Sequence, residues 1–289
     1  MAVRKRKQPL DISIIGAGTL ATALAAALWR SGYRIAEIVS RDNAQSLSRA
    51  RKLAKRVGAR ATYMREARFT GKIVWICVPD DAIAGLAGQL AGRAKWQKKL
   101  VVHSSGALGS DVLAPLRKAG ALTASAHPLM TFVSISKPEL EGVPFALEGD
   151  SRALVTIGTT VRSIGGKPFR IAPELKPAYH LFGFFCSPAL VALLAAAQRV
   201  GELAGFARRR RSRQLMEPIV RQTIDNFFRS TPQQAFSGPL RRGDIATLRK
   251  HLDVLRKQPE LLAIYKSLAG ISLKQLPVTN ADALRNLLS

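Results

Sequence analysis

The sequence predicts an α/β protein, a doubly wound parallel sheet followed by an all-α C-terminal region. Three observations predict it. Strand-like and helix-like segments alternate up to residue 172, no convincing strand follows Pro173, and a glycine turn joins the first strand to the first helix. The expected organisation is a domain over 1–172 and a helical domain over 173–289.

The elements follow in order. Residues 11–15 form a short apolar strand, and 20–29 an Ala/Leu helix closed by Gly32. A second strand spans 34–39, and a basic helix 44–57 stops at Gly58. A short strand lies near 61–63. The run 72–78 (KIVWICV) reads as a buried central strand ended by Pro79. Helix 82–94, strand 100–103, helix 111–119 and strand 122–126 continue the alternation. Strands at 144–147 and 168–171 flank a helix at 152–164. Helices are expected at 177–205, 208–230, 245–256, 259–269 and 281–288, with Asp244 as an N-cap.

With 289 residues, 47% of them hydrophobic and 22% charged, the chain is long and apolar enough for a real core and is not disordered. Cys77 and Cys186 cannot make a disulfide framework, so a reducing cytoplasm is the expected compartment. The first nine residues are basic and lead straight into a strand, so no signal peptide is expected. Leu181–Ala197 is uncharged for 17 residues, the lower limit for a membrane span. Gly183, Ser187 and Pro188 interrupt it, and a helix buried at an interface is preferred.

The net charge of +26 raises polyanions as partners. Residues 1–60 carry +10, with an arm Arg4–Lys7, whereas 101–200 carry only +3; a second basic run is Arg208–Arg211. Aromatics are 6% and are not interleaved with the basic residues, as a stacking platform for single strands would require. Nucleic acid therefore ranks last among the readings.

The informative motif is Gly16-Ala17-Gly18-Thr19-Leu20-Ala21, a G-x-G-x-x-A between strand and helix. Gly16 permits the turn, Gly18 admits a pyrophosphate to backbone amides at the positive helix end, and Ala21 lets helix and strand approach. This is the dinucleotide fingerprint of a Rossmann-type sheet. The second strand runs into Ser40-Arg41, where NAD enzymes place an acid. A hydroxyl and a guanidinium suit a 2′-phosphate, so NADP is expected, although Glu37 and Asp42 stand nearby. Cofactor contacts are expected at Gly16, Gly18, Thr19, Leu20, Ser40 and Arg41, with nicotinamide near Val78 and Pro79.

Ligands in such sheets bind beyond the carboxyl ends of the strands. His127 is the acid/base candidate there, because an imidazole titrates near neutrality. Ser105 is a candidate for holding a substrate oxygen, or a cap of the following helix. Lys176 and His180, four apart, share a helix face, with Tyr179 beside Lys176; the alternative is a solvated first turn. No metal-ligand spacing occurs, so no metal is expected.

The segments GAGTLA (16–21), VSR (39–41), VPDDAI (78–83), HSSGAL (103–108), HPLMTF (127–132), FALEGD (145–150), KPAYH (176–180) and SGPLRRGDIATLRKHL (237–252) carry a resemblance. The chain resembles the Rossmann-like oxidoreductases whose C-terminal half is a domain of unknown function. Their relatives are pyrroline-5-carboxylate reductase, prephenate dehydrogenase and deazaflavin reductases. The resemblance implies a nucleotide-binding domain, a helical domain that makes a homodimer, and a reductase activity without a defined substrate. HPLM is similar to the His-Pro-Met turn of prephenate dehydrogenases, which gives His127 a substrate hydroxyl and Ser105 an assisting role. The glycine that follows in those enzymes is missing, which sets prephenate aside. Pro188 replaces an Asn usual in the family and removes a contact.

The expectation is an NADP(H)-dependent oxidoreductase of a small carbonyl, imine or alcohol. A non-catalytic NADP-binding sensor or scaffold is the alternative, and a basic nucleic-acid binder the third reading.

Overall fold

The computed structural model describes residues 10–135, 139–206 and 209–289. The basic arm Arg4–Lys7 and Arg208 lie outside them, as do the side chains of Arg209 and Arg210. The chain divides into two compact units, Met1–Ala189 and Leu190–Ser289.

The first unit holds eight strands: β1 (Ile12–Ile15), β2 (Ile35–Ser40), β3 (Arg60–Tyr63), β4 (Ile73–Ile76), β5 (Leu100–His103), β6 (Leu122–Pro128), β7 (Pro144–Gly149) and β8 (Lys167–Arg170). They form one sheet in the order β3-β2-β1-β4-β5-β6-β7-β8. Every pairing is parallel except β6 with β7. The order reverses direction between β1 and β4, which opens a crevice at their carboxyl ends.

Helices α1 (Thr19–Arg30), α2 (Ala44–Val57), α3 (Asp80–Ala91), α4 (Ala114–Lys118) and α5 (Ser151–Ser163) cover both faces. Leu24 and Leu28 of α1, Leu53 of α2 and Ile157 of α5 pack with Ile12, Ile14 and Trp75 into one core. Ile83 and Leu90 of α3 and Leu116 of α4 pack with Ile15, Val74 and Ile76 into another. Alternate strand residues thus enter opposite cores, as period-2 side chains buried on both faces must. Asn43 caps α2 by accepting from the Ser46 amide at 2.9 Å, and Gly58 ends it at φ +63°.

After β8 come α6 (Lys176–Cys186), α7 (Pro188–Leu203), α8 (Arg209–Arg229), α9 (Pro232–Ala235), α10 (Pro239–Arg242), α11 (Ile245–Leu255), α12 (Pro259–Gln275) and α13 (Ala281–Leu288). The single helix expected at 177–205 is two. Ser187 leaves helical geometry (φ −132°, ψ −74°), and Pro188, which has no N–H to donate, opens α7. Because α6 belongs to the first compact unit, the units part at 189/190 rather than at 172. Asp244 does cap α11, accepting from the Thr247 amide at 3.1 Å.

The apolar stretch is not buried within the single chain. Leu181, Phe182, Phe184 and Phe185 of α6 and Val191 of α7 are exposed in the single chain. Within Pro173–Leu203 lies an 18-residue stretch that is apolar enough to cross a membrane, by length and composition only.

Candidate functional site

The glycine turn sits at the crevice. Gly16 adopts φ +111° and donates to the Val39 carbonyl at 2.8 Å; a Cβ there would stand 2.2 Å from the Cys77 carbonyl oxygen. Only glycine fits between the ends of β2 and β4. Gly18 differs: it is the N-cap of α1, and a Cβ there would meet nothing within 4 Å. No side chain caps α1 and no acid stands in its first turn. The positive end of a twelve-residue helix, with Thr19 and Leu20 first in line, therefore opens onto free space. The Thr19 hydroxyl is already used, donating to the Phe132 carbonyl at 3.1 Å, so its backbone is what it can offer. Val78 is half-buried and Pro79 exposed at the start of α3, beyond the end of β4.

At the end of β2 the expectation for Ser40 is corrected. Its side chain is buried, and its hydroxyl donates to the Thr62 carbonyl at 3.3 Å and the Arg41 carbonyl at 3.1 Å. With its proton spent inside the sheet, Ser40 has none for a phosphate. Arg41 is exposed, and its guanidinium makes no hydrogen bond or ion pair among the described residues. Glu37 is structural: buried in β2, it accepts from the Ser13 hydroxyl at 3.0 Å and the Arg60 guanidinium at 3.2 Å.

A polar row crosses the sheet farther along. Strand register sets His103 beside Ser125 and Ser125 beside Glu148, all buried. Lys176, at the start of α6, closes over this row. It is fully buried, donating to the Ser125 hydroxyl at 2.5 Å and the Ser105 carbonyl at 3.0 Å, with Glu148 at 3.9 Å. The solvated first turn considered for Lys176 is thereby corrected, since its ammonium is spent on protein acceptors and does not face solvent. Burial pulls its pKa down to about 8, and the Glu148 carboxylate opposes that shift. Glu148 also accepts from the Ser110 amide and hydroxyl at 2.6 and 2.8 Å. His103 is fixed as well: its Nδ1 accepts from the Ser105 amide at 3.1 Å, so Nε2–H donates to the Gly109 carbonyl at 3.1 Å.

Ser105 proves to be a turn organiser. Its hydroxyl donates to Asp80 at 2.7 Å and accepts from the Ala107 and Leu108 amides at 3.2 and 2.9 Å. All the hydroxyl's capacity is taken, its acceptor side within the 105–108 turn, which argues against a substrate contact. The helical turn that follows at Ser110 has Gly109 as its N-cap and no side-chain cap, so Ser105 does not cap it either.

His127, at the end of β6, lies 2.8 Å through Nδ1 from the Tyr179 hydroxyl. The His180 ring stands edge-on to it, with centroids 6.4 Å apart. Gly106 makes this possible, because a Cβ there would lie 2.9 Å from both rings. Burial, with the Lys176 charge second, pulls His127 down to about 4, and burial pushes Tyr179 up to about 12. The expectation that His127 titrates near neutrality is thus corrected: desolvation keeps the imidazole uncharged. A cavity of about 480 Å³ is lined here by His127, Met130, Thr131, His180, Phe184 and Cys186.

His127 and His180 therefore line one cavity, Tyr179 holds the His127 ring through Nδ1 without lining it, and Ser105 and Lys176 are not part of the lining. Glu148 and Ser125 have no role in the sequence reading, and Tyr179 enters it only as a neighbour of Lys176. Glu148, an acid inside an apolar strand, was the one clear signal. Among the described residues no cluster of three metal-ligating side chains occurs.

Comparison with known proteins places this architecture. A Rossmann-like domain model matches residues 2–128, and the model of a domain of unknown function, DUF2520, matches residues 143–271. No curated protein matches the sequence. Among solved structures, protein TM1727 from Thermotoga maritima is 28% identical, with TM-score 0.69, over 90% of this chain and 96% of that one. Protein BF3122 from Bacteroides fragilis, provisionally named an NADP oxidoreductase, is 24% identical with TM-score 0.76 over 91% and 97%. An imine reductase from Myxococcus stipitatus in complex with NADP+ is 17% identical with TM-score 0.64 over 95% and 99%. The chain belongs to the family of Rossmann-like proteins that carry the DUF2520 domain.

Proposed function

We propose that the chain is an NADP(H)-dependent oxidoreductase of a small carbonyl, imine or alcohol. The observation that carries this reading is the uncapped α1 terminus at Gly18, open at the switch point of a sheet whose strand β6 ends in the cavity-lining His127. The space at Gly18 fits a pyrophosphate, since a Cβ would occupy it and nothing among the described residues does. Gly16, Gly18, Thr19 and Leu20 would hold the diphosphate through their backbone, Arg41 a 2′-phosphate, and Val78 and Pro79 the nicotinamide end. NADP(H), when bound, supplies or accepts the hydride.

The chain's own residues do the rest. His127 and Tyr179 are both uncharged at pH 7; with the Tyr179 hydroxyl donating to Nδ1, the imidazole carries its proton on Nε2 and offers that one donor to a substrate oxygen or nitrogen in the cavity. Lys176, mostly protonated at pH 7, is a fixed positive charge whose field acts on His127. That field favours negative charge growing on a substrate atom beside the imidazole. Apolar Phe184 and Met130 in the lining favour substrates with a small hydrocarbon body.

A sensor or scaffold without turnover is the second reading. It draws on Ser105 and Lys176 being wholly engaged by the protein. The exposed apolar residues of α6 and α7 suit a homodimer formed through these helices. Thermal-shift titration with NADPH, followed by turnover over a panel of small imines, ketones and alcohols, tests the function. NADPH stabilisation plus turnover that Tyr179→Phe and His127→Ala abolish supports it, stabilisation without turnover by any variant supports the sensor, and no stabilisation refutes both.

A further inference from the structure

We infer that Arg65 is a specificity-determining residue for the dinucleotide, acting by neutralising Asp42 beside the 2′-phosphate position. This rests on the proposed cofactor reading and adds a residue to it. Asp42 directly follows Arg41, and a carboxylate there would repel a dianionic 2′-phosphate as strongly as it would welcome a free ribose hydroxyl. The chain therefore carries two opposed signals side by side.

The fold resolves them by pairing. β3 runs parallel to β2 with Tyr63 beside Ser40, so the residues after Tyr63 emerge next to Arg41 and Asp42. The Arg65 amide donates to Asp42 Oδ1 at 3.3 Å, and its guanidinium lies 3.8 Å from the same oxygen. That guanidinium is steadied by its stack on the Tyr63 ring, 4.3 Å from the centroid. Arg93 in turn donates to the Arg65 carbonyl at 2.8 Å, holding the turn from behind. Asp42 is thus held by both backbone and side chain of one residue, whose guanidinium also reaches Glu66 at 3.5 Å, while the Arg41 guanidinium has no partner among the described residues.

Both groups are solvated, with side chains 59% and 42% exposed, so the effect is modest. Titrations of the full chain with NADPH and NADH, followed by nicotinamide fluorescence, test it. Arg65→Ala is expected to cut the NADPH-over-NADH preference roughly three- to fivefold, and adding Asp42→Asn is expected to restore it. An unchanged preference in Arg65→Ala overturns the inference. A preference that stays lost in the double variant overturns it too, because Arg65 would then meet the phosphate itself. A wild-type chain that binds neither dinucleotide overturns the cofactor reading first, and a wild-type preference for NADH overturns the assignment at Arg41 and Arg65 together.

Discussion

Two stretches of the same sheet edge treat their polar groups in opposite ways. At the ends of β1 and β2 the helix terminus is uncapped, Gly18 faces empty space and Arg41 is exposed. At the ends of β5 and β6, His103, Ser105, Ser125 and Lys176 are buried and bonded to one another or to backbone. Polar groups left open are ready to receive a ligand, whereas polar groups satisfied in advance set the position and charge of a few others. His127 and Tyr179 are those others.

The largest expected effects fall on the closed region. Lys176→Met should cost about 3–5 kcal/mol in denaturant unfolding, because Glu148 is left as a buried charge without its cation. The same change should raise the His127 pKa, since the Lys176 charge helps depress it; an NMR titration reads this directly. A Lys176→Met chain as stable as wild type, with His127 unmoved, would erase the distinction between the regions.

Acid should act on the same region. His103 and His127 are both held near 4, below the 6.5 of an unfolded histidine, mainly by burial. Between pH 6.5 and 4 the unfolded chain therefore binds more protons than the folded one, and stability falls as pH drops through that window. For fully buried His103 the loss is on the order of 3 kcal/mol. A melting temperature flat from pH 6.5 to 4.5 would count against these buried neutral imidazoles.

The two glycines sharpen the contrast within the open region. Gly16→Ala should destabilise by about 3 kcal/mol, from the collision with the Cys77 carbonyl and the positive φ. Gly18→Ala should stay within about 0.5 kcal/mol of wild type yet weaken NADPH binding, since its Cβ enters the space left for the phosphates. Tyr179→Phe is smaller than the first three on stability, about 1 kcal/mol for one hydrogen bond to His127. Its mark is lost turnover with NADPH affinity intact.

The open region was legible in the sequence because its signals are local. G-x-G-x-x-A states a turn and a helix start within six residues, and α2 has the bounds that periodicity predicts. Ser40 misled because a hydroxyl at a strand end reads the same whether it faces solvent or the next strand. The closed region was less legible, since it is made by register. Glu148, Ser125 and His103 are neighbours only once β5, β6 and β7 are aligned, and Lys176 reaches them from 28 residues beyond Glu148. For the same reason Lys176 reads as a site candidate or a solvated first turn rather than a buried positive charge, and His127 as an ordinary imidazole. The break at Ser187–Pro188 was visible as a proline, but helical periodicity on both sides concealed it.

The central claim is that the open region holds NADP(H) and that Arg41 recognises its 2′-phosphate. Calorimetric titration of wild type and Arg41→Ala with NADPH and NADH tests it most directly. Saturable NADPH binding that weakens on the order of tenfold in Arg41→Ala, with NADH binding unchanged, is the predicted result. Absence of NADPH binding, or equal binding by both proteins, would contradict it.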